Sequence, residues 1–191
     1  MEWHSALGIL GGIVYNIGYI PYVLQILKGK TRPNLLSWVG WFFLLVIGSS
    51  AQLAGGATWS VALHIAAAIG CGITTLVAFR YGYATFTILE KLCFLLAALA
   101  IGVWVVTDEP LYGLILAVAA DSILFVPTMV KTWRNPQSEA LWGWLLFATG
   151  SLIAVGGATV YNLNNLLYPI ALFFFNGSVV LIALRGRIKK V

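Results

Sequence analysis

Tyr19-Ile20-Pro21-Tyr22 and Phe125-Val126-Pro127-Thr128 open two stretches of this chain that say nearly the same thing, about 105 residues apart. The first runs on through Gly55-Gly56-Ala57-Thr58 to Gly72, Leu76, Ala78 and Arg80. The second runs through Gly156-Gly157-Ala158-Thr159 to Gly177, Leu181, Ala183 and Arg185. The landmarks keep their order and nearly their spacing. An internal repeat on this scale decides the architecture before any local detail does. Both copies are apolar, so the expected architecture is a membrane one.

Composition agrees. Hydrophobic residues make up 61% of the chain and charged residues 9%, with a mean hydropathy of +0.94. A soluble domain of 191 residues has too little interior for that much apolar surface. Inside a bilayer each spanning segment must satisfy its own backbone, which leaves helices or a closed barrel. The apolar runs are about 20 residues long and do not alternate with polar residues, so helices are expected. Cys71 and Cys93 both fall inside apolar runs and offer neither a disulfide framework nor metal-ligand spacing. Met1-Glu2-Trp3-His4 lacks the basic start of a cleavable signal peptide, so the first apolar run is expected to stay as a helix.

Seven spans are predicted, at 5–27, 34–54, 58–79, 87–106, 111–131, 138–157 and 163–184. The fourth has no partner in the repeat, and charge argues for it. Lys28, Lys30 and Arg32 follow the first span, and Arg80 and Lys91 flank the third-to-fourth connection. Lys131 and Arg134 follow the fifth, and Arg185, Arg187, Lys189 and Lys190 close the seventh. With seven spans all 11 basic residues share one side. The positive-inside rule makes that side cytoplasmic and puts the N-terminus outside, with Glu2, Asp108 and Glu109. The net charge of +5 therefore reports topology, not a nucleic-acid partner. The eight tryptophans fall near the two interfaces as an aromatic belt: Trp3, Trp59 and Trp104 outside, Trp38, Trp41, Trp133, Trp142 and Trp144 inside. The fold expected is all-α, with three-helix units at 1–84 and 110–191 joined by a linker helix at 85–109. An odd linker makes the repeat parallel, a plan that sets a transport site at the repeat interface near mid-bilayer.

The middle of each span supplies the candidates. They are Tyr15 and Asn16 in span 1, Cys71 in span 3, Asp121 and Ser122 in span 5, and Asn176 in span 7. The repeat pairs Tyr15 with Asp121, Asn16 with Ser122 and Cys71 with Asn176. Asp121 is the sharpest, because a carboxyl at that depth must be partnered, protonated or wetted by a cavity. It is either a proton or substrate acceptor or a packed structural carboxyl. Asp121, Phe125 and Thr128 share one helix face, and Tyr15, Tyr19 and Tyr22 share the equivalent face of span 1. Those stripes bound either a polar lumen or a core seam. The Asn176 amide can donate to and accept from a hydroxylated solute, or bond a neighbouring helix. His64, in the outer half of span 3, is either a proton relay or a histidine bonded within the bundle. Gln52 lies near the outer boundary and says little. Pro21 and Pro127 occupy matched places in the inner halves of spans 1 and 5, as gate hinges or static kinks. Gly8 and Gly12 form a close-packing G-x-x-x-G.

With these residues in view, the chain resembles the SWEET and PQ-loop superfamily of small-solute transporters. The resemblance covers essentially its whole length. It is carried by Tyr19-Ile20-Pro21-Tyr22 leading to Lys28-Gly29-Lys30-Thr31, and by Phe125-Val126-Pro127-Thr128 leading to Lys131-Thr132-Trp133-Arg134. Tyr22 and Thr128 stand where the family signature has glutamine after proline. Asn176 matches the asparagine with which SWEET proteins bond sugar, and Cys71 replaces its partner. The resemblance implies alternating access between two three-helix units. It implies a sugar as first substrate, gated near Pro21 and Pro127. Asp121 is more like the proton-coupled PQ-loop carriers of amino acids, and nicotinamide-riboside carriers share the plan. These stay as alternatives.

A heptahelical sorting receptor on the same scaffold is the alternative of another class. It needs outer basic residues, and none is found there. A retinal protein needs a lysine in span 7, which has none. No nucleophile elbow, paired carboxylates or metal-ligand cluster suggests an enzyme. The expectation is thus a multi-pass protein of the plasma (inner) membrane, without cofactor or metal, whose partners are a small-molecule solute and the bilayer. A homo-oligomer is left open.

Overall fold

The computed structural model describes residues 2–84 and 87–188. Lys189 and Lys190 lie outside the described residues, and so does the start of the linker unit at 85. Among the described residues the chain is all-α, with seven α-helices and no strand. They are α1 (Glu2–Leu27), α2 (Leu35–Ala54), α3 (Ala62–Tyr81), α4 (Ile88–Thr107), α5 (Pro110–Arg134), α6 (Leu141–Val155) and α7 (Leu163–Ile188). A 3-10 turn, Trp59–Val61, leads into α3.

Local chemistry sets the boundaries. Asn34 caps α2, its side-chain oxygen accepting from Leu36 N at 3.2 Å. Pro110 takes the first turn of α5, where its missing N–H costs nothing. α1, α5 and α7 each run unbroken through an internal proline: Pro21, Pro127 and Pro169. Five helices are long and apolar enough to cross a membrane; Lys91–Thr107 and Leu141–Val155 are shorter apolar segments. The sixth predicted span, 138–157, is therefore corrected to a 15-residue helix. Gly156 N and Gly157 N turn back onto Ile153 O and Ala154 O and end it early.

α3 packs on both α1 and α2, and α7 packs on both α5 and α6. α1 also packs on α6, α2 on α5, and α4 lies against α5 and α2. The α1–α6 seam brings bare backbone together at its glycines. A Cβ added to Gly11 would sit 2.7 Å from Gly150 O, and one added to Gly143 would sit 2.9 Å from Gly18 O. The α2–α5 seam is filled instead by side chains, with Leu124 seated on Gly40. On the outside, Ile9, Ile13, Ile17, Ile20, Leu24 and Leu27 make an exposed stripe along α1. Ile65, Ile69, Ile73 and Leu76 do the same along α3. So much continuous exposed apolar surface is compatible with an integral membrane protein.

The connections gather at two ends. At one, Leu35 N donates to Tyr83 O at 2.8 Å and Thr31 Oγ1 to Ser138 O at 3.3 Å. There Arg185 donates to Trp133 O at 3.2 Å with its guanidinium 3.4 Å over the Trp133 ring. This is the basic end, carrying Lys28, Lys30, Arg32, Arg80, Lys131, Arg134 and Arg185. At the opposite end residues 52–60 meet residues 157–165.

Candidate functional site

Six aromatic side chains close a collar inside the bundle. Tyr19 of α1 meets Trp38 of α2 (ring centroids 6.2 Å apart), and Trp38 meets Trp41 (5.2 Å). Trp41 meets Phe125 of α5 (5.3 Å), and Phe125 meets Trp144 of α6 (5.9 Å). Trp144 meets Phe147 (5.6 Å), and Phe147 returns to Tyr19 (4.7 Å). All six are buried. Such edge and tilted contacts hold rings in place beyond what burial alone does.

The collar walls a cavity of ≈ 30 Å³, room for one or two waters. Tyr15, Cys71, Asp121 and Asn176 complete its lining with Leu45 and Leu172. Its polar groups are incompletely satisfied. Asn176 Nδ2 donates to Leu172 O at 2.7 Å, but Asn176 Oδ1 has no partner. Asp121 Oδ2, Trp41 Nε1 and the Tyr168 hydroxyl also lack a well-formed hydrogen bond, although Trp41 and Tyr168 both adjoin Asp121. Buried polar atoms left unpaired are rare in folded proteins and call for an explanation. Cys71 Sγ points to Trp38 O at 3.6 Å.

Toward the basic end, Trp38 and Trp41 separate this cavity from a second one of ≈ 160 Å³. Tyr22, Pro127, Thr128, Lys131 and Glu139 are among its walls. Glu139 is buried, accepts from Trp144 Nε1 at 2.9 Å and pairs with Lys131 at 2.6 Å. Toward the opposite end, a polar latch joins the two repeat copies. Asn165 Oδ1 accepts from Thr58 N (2.8 Å), Thr58 Oγ1 (3.1 Å) and Ser60 Oγ (3.0 Å). Gln52 Nε2 donates to Asn164 O at 2.8 Å, and Asn164 Nδ2 to Gly55 O at 3.1 Å.

Of the six predicted substrate contacts, Tyr15, Cys71, Asp121 and Asn176 meet in the cavity. Asn16 and Ser122 do not line it. Asn16 Nδ2 donates to Ala66 O at 2.8 Å and borders a groove on the outer face of α1 and α3. Ser122 Oγ returns to Val118 O in its own helix at 2.8 Å. His64 is fully buried outside the cavity, edge-on to Tyr168 with centroids 4.1 Å apart, and neither ring nitrogen has a partner. Pro127 borders the cavity at the basic end, whereas Pro21 borders neither. The two predicted stripes face inward, with Tyr15, Tyr19, Asp121 and Phe125 on the first cavity and Tyr22 and Thr128 on the second.

The aromatic-belt expectation is corrected for Trp38, Trp41 and Trp144, which are buried around the cavity. Gly40-Trp41 and Gly143-Trp144 hold counterpart places in the repeat, a signal present in the sequence. Glu139, Tyr168, Asn164 and Asn165 were also missed as functional candidates. The asparagines stand in Asn162-Leu163-Asn164-Asn165, an unusual cluster beside an apolar run. No group of three or more His, Cys, Asp or Glu suited to a metal occurs among the described residues. No family model, no curated protein and no solved structure matches this chain.

Proposed function

We propose that this protein is a membrane transporter of a small polar solute, working by alternating access between two parallel three-helix units in a 3+1+3 plan. The observation that carries the proposal is the internal cavity itself. Unpartnered Asp121 Oδ2, Asn176 Oδ1 and Trp41 Nε1 come together there from both repeat copies. The recurrence of helix pairing supports the plan, since α3 adjoins α1 and α2 as α7 adjoins α5 and α6. The one-sided cations support a cytoplasmic basic end. The size of the cavity, too small for a sugar, fits a closed state that must open to load. The latch at the opposite end and the larger cavity behind Trp38 and Trp41 favour loading from the basic end. The likeness to SWEET and PQ-loop carriers belongs to the same proposal.

The test is flux. The purified protein in proteoliposomes is loaded with labelled sugars, amino acids and small amines in turn. At least one should equilibrate faster than in empty vesicles, and Asn176→Ala should abolish that flux without lowering the reconstituted amount. Unchanged flux through Asn176→Ala would remove this cavity from the path.

A further inference from the structure

Asp121 is an acid in a chamber with no base. Among the described residues, no Lys, Arg or His lines its cavity. Lys131 is beyond the tryptophans and already paired with Glu139. Trp41 and Tyr168 adjoin Asp121 as neutral donors, but a buried carboxylate without a counter-charge stays costly, which favours uptake of a proton or a cation from outside. Trp41, Phe125 and Trp144 line the cavity with Asp121, and aromatic rings attract cations, more so where water is excluded. The remaining unpartnered acceptor, Asn176 Oδ1, also suits a donor-rich ligand.

Resting on the transporter reading above, we infer that the site takes a small organic cation, an ammonium or guanidinium, which exchanges with a proton on Asp121. The exchange conserves charge. The Asp121 carboxyl releases its proton to water as the cation enters, and the cavity is neutral before and after. One carboxyl cannot hold both at once, so cation and proton move in opposite directions. Other groups do not substitute for it. Tyr168 of α7 adjoins it, His64 of α3 and Cys93 of α4 lie toward Tyr168, and Tyr15 and Tyr19 of α1 and Cys71 of α3 share the cavity with it. α2 and α6 contain no titratable side chain. A sugar or other neutral solute would leave the proton on the carboxyl, with no exchange and no dependence on its release.

The purified full chain in lipid nanodiscs is titrated with choline and with guanidinium. Each is compared with its uncharged counterpart, 3,3-dimethylbutan-1-ol or urea. Tryptophan fluorescence reports binding, since Trp38, Trp41 and Trp144 line the cavity. Calorimetry in buffers of different ionisation enthalpy counts the protons released. At least one cation should bind about tenfold or more tighter than its neutral counterpart. Its apparent affinity should fall by up to about tenfold for each pH unit of acidification wherever protons are released. Asp121→Asn should erase both the charge preference and the proton release. Equal binding of charged and neutral members would overturn the inference. So would no saturable binding of either cation between about pH 5 and 9, or binding without proton release at any pH. The wild-type proton count needs no variant and stands even where Asp121→Asn does not fold. Flux is read separately in proteoliposomes. Cation binding with proton release but no flux would retire transport and keep this site. Glucose flux with no charge preference would retire the cation and keep transport.

Discussion

Trp41 and Trp144 occupy counterpart positions in the two repeat copies, yet only Trp144 has spent its indole N–H. It donates to Glu139 Oε2 at 2.9 Å, while Trp41 Nε1 is buried beside Asp121 without a well-formed hydrogen bond. Phenylalanine at each position separates the two roles. Trp144→Phe should cost about 2 kcal/mol, because it strips a donor from a buried carboxylate. Trp41→Phe should cost less, about 1 kcal/mol, since its indole N–H adjoins Asp121 without a well-formed hydrogen bond, but should weaken solute binding. Thermal unfolding in one detergent, paired with the binding titration, checks both. A Trp41→Phe protein with unchanged solute affinity would count against the cavity.

The Glu139–Lys131 pair is lopsided. The lysine side chain is 36% exposed and the glutamate 1%. Removing the lysine strands a buried charge, whereas removing the charge of the glutamate frees a lysine that reaches water. Lys131→Met should therefore destabilise by about 3 kcal/mol and Glu139→Gln by about 1 kcal/mol. Unfolding temperatures in the opposite order would mean that the pair is not buried as described.

Asn165 serves three donors through one oxygen. Asn165→Ala should cost about 2–3 kcal/mol, against about 1 kcal/mol for Asn164→Ala, which loses its single bond to Gly55 O. It should also loosen that end of the bundle. Cys71 and Cys93 are buried thiols outside any disulfide, and of the two only Cys71 lines the cavity. A small methanethiosulfonate reagent should modify Cys71 slowly in the parent protein and faster in Asn165→Ala. Cys71→Ser provides the blank. An unchanged rate would show that the latch does not guard the cavity.

Backbone-to-backbone packing makes a fourth prediction. Gly150→Ala would bring a Cβ to 2.6 Å from Gly11 O and should cost about 1–3 kcal/mol. Gly102 of α4 has nothing within 4 Å of an added Cβ. Gly102→Ala should therefore be neutral or gain up to about 1 kcal/mol from helix propensity. The difference in unfolding temperature between the two variants is the measurement.

The helices were legible because an apolar run of bilayer length reads the same wherever it packs. The short α6 was not, because Gly156-Gly157 resembles the tail of a span until its backbone is seen to turn. At the site, sequence gives depth but not azimuth. Tyr15 and Asn16 lie at one depth, as do Asp121 and Ser122, but adjacent helical residues point about 100° apart. Only one of each pair can face a given cavity, and in both pairs it is the residue on the Tyr19 or Phe125 stripe. The tryptophans failed for a related reason. Trp142 and Trp144 are neighbours at one helix end, yet Trp142 is 67% exposed and Trp144 3%. Composition cannot distinguish an interfacial ring from an interior one when both sit at the same height.

The two seams that join the repeat copies differ in what would have to give way for them to part. Along α1 and α6, peptide groups approach directly at Gly11 and Gly150 and at Gly18 and Gly143, which leaves less room for rearrangement even though Tyr15, Tyr19 and Phe147 also meet there. Along α2 and α5, contact runs through Leu124, Trp41 and Phe125, which have torsions to spend. A sequence-symmetric molecule is therefore mechanically handed. Under the proposed alternating access the α1–α6 side would be the pivot and the α2–α5 side the opening edge, so the passage would run off centre. Covalent staples across α1–α6 would leave that motion intact, while one across α2–α5 would arrest it.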